Sequence, residues 1–147
     1  MRGLAALFFV SLGVVAAGPS QPAAVERAQI EAEKVRVLVE AGALPRARLE
    51  QVERDLDDAR DDDVLRHALY GLASVDELTE EQIREMGAAA ERRVARQREK
   101  LEQAKRLVEA GVSPRTSLSP LLAELDSRRK TMDLAASRAN FFRELTE

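Results

Sequence analysis

Apolar residues recur along this chain at alternating steps of three and four positions, which indicates helices with a narrow apolar seam rather than a broad globular face. The first seam comprises Val25, Ala28, Ala32, Val35 and Val39. It predicts a helix that begins between Pro22 and Val25 and ends near Ala41. Gly42 then suits the left-handed backbone position that follows a helix end.

A second helix is predicted to open at Pro45, because proline is tolerated at the first helical position. Its seam comprises Leu49, Val52, Leu56 and Ala59, and the apolar face resumes in a different phase at Val64, Leu65, Ala68, Leu69 and Leu72. We expect this helix to fray or bend between Tyr70 and Val75.

A third helix is predicted from about Glu80 to Ala110, where Gly111 ends it. Thr79 and Gln82 have the spacing of a capping box at its start, flanked by Leu78 and Ile83. Ser113 and Pro114 precede the next predicted helix, and Ser113 is available as its N-cap. The fourth helix carries the seam Leu118, Leu121, Leu125, Met132, Ala135, Ala139 and Phe142, which Arg128 interrupts.

The turns between these helices belong to an internal repeat. Residues 37–46 (VLVEAGALPR) and 106–115 (RLVEAGVSPR) match at seven of ten positions, 69 residues apart. The same offset brings the seams on both sides of the turn into register, so one supersecondary unit is used twice. The sequence therefore predicts an all-α fold of two duplicated antiparallel helical hairpins, in a coiled-coil or four-helix arrangement. A compact bundle and an extended rod both remain open.

The hairpin tips are the candidate sites, as structural residues and as possible points of contact with a partner. They are formed by Gly42, Pro45, Arg46, Gly111, Pro114 and Arg115. Glycine and proline there suit any tight helix–helix turn, whereas the two arginines could supply the contact with a partner. We expect no catalytic, cofactor-binding or metal-binding residues.

The N-terminus has the pattern of a secretory signal peptide. Met1 and Arg2 precede the apolar stretch Leu4–Ala17, which is shorter than the roughly 20 residues that a membrane-spanning helix needs. We divide the chain into a signal peptide (1–17), a linker (18–24), hairpin 1 (25–75) and hairpin 2 (76–147). A retained N-terminal anchor is the alternative. The chain has no cysteine, so the predicted location is periplasmic or secreted without lipidation, with no stable membrane span after cleavage.

Composition restricts the possible functions. Aromatic residues make up 3% of the chain and charged residues 33%, which is typical of long helices, and the absence of cysteine removes thiol chemistry and disulfides. The net charge of -3 has both signs interleaved, so nucleic-acid binding is not expected. We expect no enzyme activity and no cofactor. The expected partner is another protein, or a second copy, that packs against the helices.

Four other features of the sequence are considered as functional sites, with weaker support than the hairpin tips. His67 is the only histidine, and no second histidine or cysteine joins it as a metal ligand. We interpret the acidic run Asp57–Asp63 as a solvated face, although it could attract a cation. The mixed charges of Glu91–Lys105 suit pairs along an exposed helix. Phe141 and Phe142 either pack at the bundle end or dock on a partner.

Two resemblances follow from these motifs. The pattern LVEAG-x-x-PR-x-x-L, with Gly42 and Gly111 in the turns, resembles the helical hairpins of the outer-membrane efflux (TolC-like) family and of periplasmic adaptor proteins, over the hairpins alone. The segment Leu78–Gln82 (LTEEQ) resembles the LTxxQ signature of the Spy/CpxP-type periplasmic proteins. A capping box also explains Thr79 and Gln82.

These observations favour an exported, non-catalytic coiled-coil scaffold or interaction protein of the cell envelope. The first resemblance implies a role linked to efflux. The second implies the alternative, a Spy/CpxP-like periplasmic chaperone or stress-response protein.

Overall fold

The computed structural model describes residues 22–71 and 77–146, so the predicted signal peptide and the stretch 72–76 lie outside it. The described ranges form α1 (Pro22–Glu40), α2 (Arg46–Ala68), α3 (Glu80–Glu109) and α4 (Leu118–Thr146), and a 3₁₀ turn at Arg115–Ser117 precedes α4. The predicted all-α fold of two antiparallel hairpins is confirmed. No helix in these ranges has both the length and the apolar content to cross a membrane.

Hairpin 1 is formed by α1 and α2, which run in opposite directions. Arg36 of α1 reaches Glu53 at 3.3 Å, and Arg48 near the start of α2 reaches Glu31 at 3.8 Å. The predicted seams meet between the helices, where Ala32, Val35, Val52 and Leu56 are buried, with Val25, Ala28, Val39, Leu44 and Leu49 packed around them.

Hairpin 2 repeats this arrangement with α3 and α4. Its buried residues Val94, Leu101 and Leu125 have Leu118, Leu121 and Met132 packed around them. Gln97 of α3 is 2% exposed, and its side-chain amide donates a hydrogen bond to the carbonyl oxygen of Leu121 at 3.0 Å. This bond satisfies a polar group that burial would otherwise destabilise.

The two hairpins join at a base where α2, α3 and α4 meet. The buried residues of this base cluster are Leu65, Ala68, Leu78, Ile83, Met86, Ala89, Ala90 and Ala135. The predicted capping box at the start of α3 is confirmed. The amide of Gln82 donates to the Thr79 hydroxyl at 3.2 Å, and the amide of Thr79 donates to the Gln82 side chain at 2.8 Å. Leu78 and Ile83, which flank the box, both lie in the base cluster.

Helix α2 has two buried faces, one for each neighbour. Leu56 packs on α1, whereas Leu65 packs in the base cluster with α3 and α4. These residues are nine positions apart, which at about 100° per residue places them on nearly opposite sides of the helix. The change of phase that the sequence shows within α2 is therefore a change of packing partner.

Candidate functional site

The two hairpin tips have the same backbone geometry. Gly42 and Gly111 end the incoming helices with φ of 73° and 72°, the left-handed region that favours glycine. In the first tip the amide of Ala43 donates to the carbonyl oxygen of Leu38 at 2.8 Å, and in the second Val112 donates to Leu107 at 2.9 Å. Together with the 3.0 Å bonds that the glycine amides donate to Val39 and Val108, these form a Schellman motif in each tip.

The prolines of the tips begin the outgoing segments. Pro45 and Pro114 have extended backbones, with ψ of 149° in both. The tips then differ, because α2 starts directly at Arg46 whereas Arg115 opens a 3₁₀ turn before α4. Ser113 does not cap this turn as predicted. Instead the hydroxyl of Ser117 donates to the carbonyl oxygen of Pro114 at 2.7 Å.

The two tip arginines are available to a partner. Arg46 and Arg115 are exposed, and neither makes a side-chain hydrogen bond or ion pair with any residue that the structure describes. A guanidinium group binds carboxylates through two parallel hydrogen bonds, so each arginine is a potential recognition point for an acidic side chain.

Both tips lie at the same end of the molecule. Asp58 of α2 faces Lys100 of α3, whereas Leu65 and Ala68, further along α2, pack with Ile83 and Met86 near the start of α3. Helices α2 and α3 are therefore antiparallel, which brings the start of α2 and the end of α3 to one side. The base cluster lies at the other end.

A group of charged side chains joins the hairpins between the tips and the base. We call it the ionic joint, and it consists of Asp58, Asp61, Asp62, Arg92, Arg93, Arg96, Lys100 and Arg128. Asp61, whose residue is 4% exposed, accepts hydrogen bonds from Arg92 at 2.6 Å and from Arg96. Asp62 pairs with Arg93 at 3.0 Å.

Asp58 links α2 to both helices of hairpin 2. It accepts a hydrogen bond from Arg96 of α3 at 2.7 Å and another from Arg128 of α4 at 3.2 Å. Burial raises the pKa of Asp58, but the hydrogen bonds and charges of Arg128 and Arg96 outweigh burial, so its pKa lies below the usual value. Arg128, which interrupts the apolar seam in the sequence, is the residue that brings α4 into this joint.

The ionic joint corrects two interpretations of the sequence. The acidic run Asp57–Asp63 is not simply a solvated face, because Asp61 is buried between the hairpins. The run Glu91–Lys105 does not pair only along its own helix, because Arg92, Arg93 and Arg96 reach across to α2. The signal that was missed is complementary spacing, with aspartates and arginines both recurring at steps of three or four positions.

The remaining candidates do not assemble into a site of their own. His67 is exposed, and its Nδ1 lies 2.9 Å from the carbonyl oxygen of Asp63 on the preceding turn. Among the described residues no three histidine, aspartate or glutamate side chains are grouped to hold a metal ion. Phe142 packs against the base cluster, whereas Phe141 is exposed. The tips and the ionic joint therefore remain the features that could carry function.

Comparisons of the chain with models of protein families, with curated proteins and with solved structures find no match.

Proposed function

We propose that this protein is an exported, non-catalytic helical scaffold of the cell envelope that binds a protein partner through its two hairpin tips. One observation carries the proposal: two tips of the same backbone geometry lie at one end of the molecule, each with an exposed arginine that has no ionic partner in the described chain. Two matching contact points at one end suit a partner that presents acidic residues to both.

The resemblance of the tips to efflux-type hairpins supports a partner that is itself made of helices. The narrow seams of Ala, Val and Leu bury little area per helix, so coiled-coil packing against helices of a partner would add stability. The proposal thus includes a role beside efflux proteins, with acidic residues on a helical partner as the groups that the tip arginines bind.

Site-specific photo-crosslinking in exporting cells tests the role of the tips. A photoreactive residue at Ala43 or Val112, which are exposed at the two tips, should give an adduct with the same partner from both positions. A photoreactive residue at Ala136, which is exposed on α4 away from the tips, should not.

The charge-reversed variant Arg46→Glu with Arg115→Glu should lose this adduct while its helicity is retained. Arg129→Glu is the matched control, because Arg129 is also exposed and without an ion pair in the described chain but lies within α4. An adduct that persists in the double variant, or one that forms equally from Ala136, would contradict the proposal.

Export is tested separately by sequencing the N-terminus of the protein recovered from the periplasm. A mature terminus near Ala17 or Gly18 supports cleavage of the predicted signal peptide. A chain that retains Met1 in the membrane fraction supports the N-terminal anchor instead and overturns the assignment of a secreted form.

The alternative function is a Spy/CpxP-like chaperone, and one observation favours it. Leu134, Phe141 and Leu145 are exposed on one face of α4, at steps of seven and four positions. Such a stripe would suit an unfolded apolar client. Suppression of client aggregation by the purified protein, lost in Leu134→Ser with Phe141→Ser, would support this function, and no suppression would exclude it.

A further inference from the structure

A groove lies between the first half of α3 and the last turns of α4. Its volume is about 760 Å³. Apolar and small residues line it, namely Ile83, Gly87, Ala88, Ala139 and Phe142, and the charged residues Glu80, Arg84, Glu91 and Arg143 border it. The groove is open to solvent rather than enclosed.

Gly87 is not explained by the fold of this chain. It lies inside α3 with no positive φ, and a Cβ added to it would meet no atom within 4 Å. Glycine weakens a helix interior relative to alanine, so neither backbone conformation nor internal packing accounts for it. Its effect is to leave the backbone of α3 open at the groove, where another helix can approach closely.

The charges beside Gly87 are self-complementary. Arg84 lies three positions before Gly87, and Glu91 lies three positions after Ala88, so both are on the same face of α3. Both are exposed and neither makes an ion pair or side-chain hydrogen bond in the described chain. An antiparallel copy of α3 centred on Gly87 and Ala88 places each Arg84 against the Glu91 of the other copy. A parallel copy places like charges together.

We propose that this groove is the interface of a homodimer, in which two copies of α3 cross antiparallel at Gly87 and Ala88. Two Arg84–Glu91 pairs related by the twofold axis then flank the contact, and the partly exposed Ala88 and Phe142 of each copy are covered. An isologous contact of this kind closes on itself and stops at two subunits. The proposal goes beyond the role of the tips, which lie at the opposite end of α3.

Charge exchange tests the interface. Arg84→Glu and Glu91→Arg each convert both pairs into like-charge contacts, so either single variant should raise the dimer dissociation constant at least roughly tenfold. The double variant Arg84→Glu with Glu91→Arg restores two opposite-charge pairs in reversed orientation and should dimerise like the wild type. Sedimentation velocity over a range of protein concentrations measures the dimer dissociation constants of the wild type, the two single variants and the double variant.

A second variant tests the groove itself. Gly87→Leu places a side chain where the second helix would lie and should give a monomer with unchanged helicity by circular dichroism. A wild type that is monomeric up to millimolar concentration would overturn the proposal. So would dimers that tolerate both single exchanges, or a double variant that stays as weak as the single ones.

The outcome is distinguishable from that of the proposed function. Arg46→Glu with Arg115→Glu should leave the dissociation constant unchanged, because these residues are at the tips. A dimer that fails with the tip variant but tolerates the Arg84 and Glu91 exchanges would show that the copies meet at the tips, which would also overturn this interface.

Discussion

Asp61 is a single carboxylate that holds two helices together. Its oxygens accept hydrogen bonds from Arg92 and Arg96, and its own residue is almost fully buried. A buried ion pair adds little net stability, because desolvation of the charges offsets their attraction. Loss of Asp61 is costly, however, because Arg92 and Arg96 each lose a charged hydrogen-bond partner and keep only Glu85 and Asp58, respectively. We therefore expect the ionic joint to contribute more to which surfaces of the hairpins meet than to how tightly they meet.

Asp61→Asn should lower the free energy of unfolding by about 2 kcal/mol, because the hydrogen bonds from Arg92 and Arg96 would lose their charged acceptor while Arg96 keeps its pairing with Asp58. Asp57→Asn is the matched control on the same helix. Asp57 is exposed and pairs only with Arg60 at 3.5 Å, so its loss should cost less than about 0.5 kcal/mol. Urea unfolding measures both values, and equal losses would show that Asp61 is no more important than a surface carboxylate.

Acid should weaken the protein through Asp58. Its folded-state pKa is lowered, so the stability it contributes is present above the pKa of the unfolded chain, about 4, and is lost as pH falls through the lower folded value. The urea midpoint of the wild type should therefore fall below pH 4. In Asp58→Asn this fall should be smaller, and an identical pH profile in the two proteins would contradict the assignment.

The sequence predicted the tip residues but not the ionic joint, for a physical reason. Glycine and proline act on their own backbone, so their roles can be inferred locally. Asp58 and Arg128 are 70 positions apart, and their pairing depends on how the two hairpins are placed in space. Arg128 on an apolar seam is a local sign that this arginine pairs with an anion on another helix, which is Asp58.

At the scale of the elements, short local motifs such as the terminal glycines and the capping box determine where the helices begin and end. Helix α1 was expected to end near Ala41 and ends at Glu40, and α3 begins at Glu80 as the capping box predicts. The start of α4 differs more, because a 3₁₀ turn delays it to Leu118. The two faces of α2 were visible as a change of phase, but which neighbour covers each face follows only from the tertiary arrangement.

Substitution of glycine by alanine should lower the stability of the protein at the tips and raise it within α3. Gly42→Ala and Gly111→Ala force a Cβ into the left-handed region and should each cost about 1 to 2 kcal/mol. Gly87→Ala should instead stabilise the monomer by about 0.5 to 1 kcal/mol, because α3 has ordinary helical geometry and room for the Cβ there. Thermal unfolding at low protein concentration measures these effects, and a stabilised Gly42→Ala would refute the strain argument.

At the scale of the whole molecule, the helices differ in how much packing against their neighbours stabilises them. In the described residues, helix α1 packs mainly on α2, through a core whose buried members are one alanine, two valines and one leucine. Helix α3 contacts both α2 and α4 and contributes to the base cluster, to the core of hairpin 2 and to the ionic joint. Local opening of α1 therefore exposes much less apolar surface than opening of α3 does.

Hydrogen exchange should reveal this difference. Backbone amides of α1 between Ala28 and Val39 should exchange faster than those of α3 between Ala89 and Leu101, because the opening free energy follows the buried contacts that are broken. Mass spectrometry of peptides covering the two segments gives both rates in one sample. Equal protection would mean that α1 opens only when the whole molecule unfolds.

The two opposite faces of α2 also have a mechanical consequence. This helix is continuous from the first tip to the base, a length of about 34 Å for its 23 residues. A displacement of Arg46 would therefore be transmitted along the backbone of α2, past the ionic joint, to Leu65 and Ala68. Because α2 is one continuous helix, a tilt of hairpin 1 about the ionic joint would also move Leu65 and Ala68 within the base cluster.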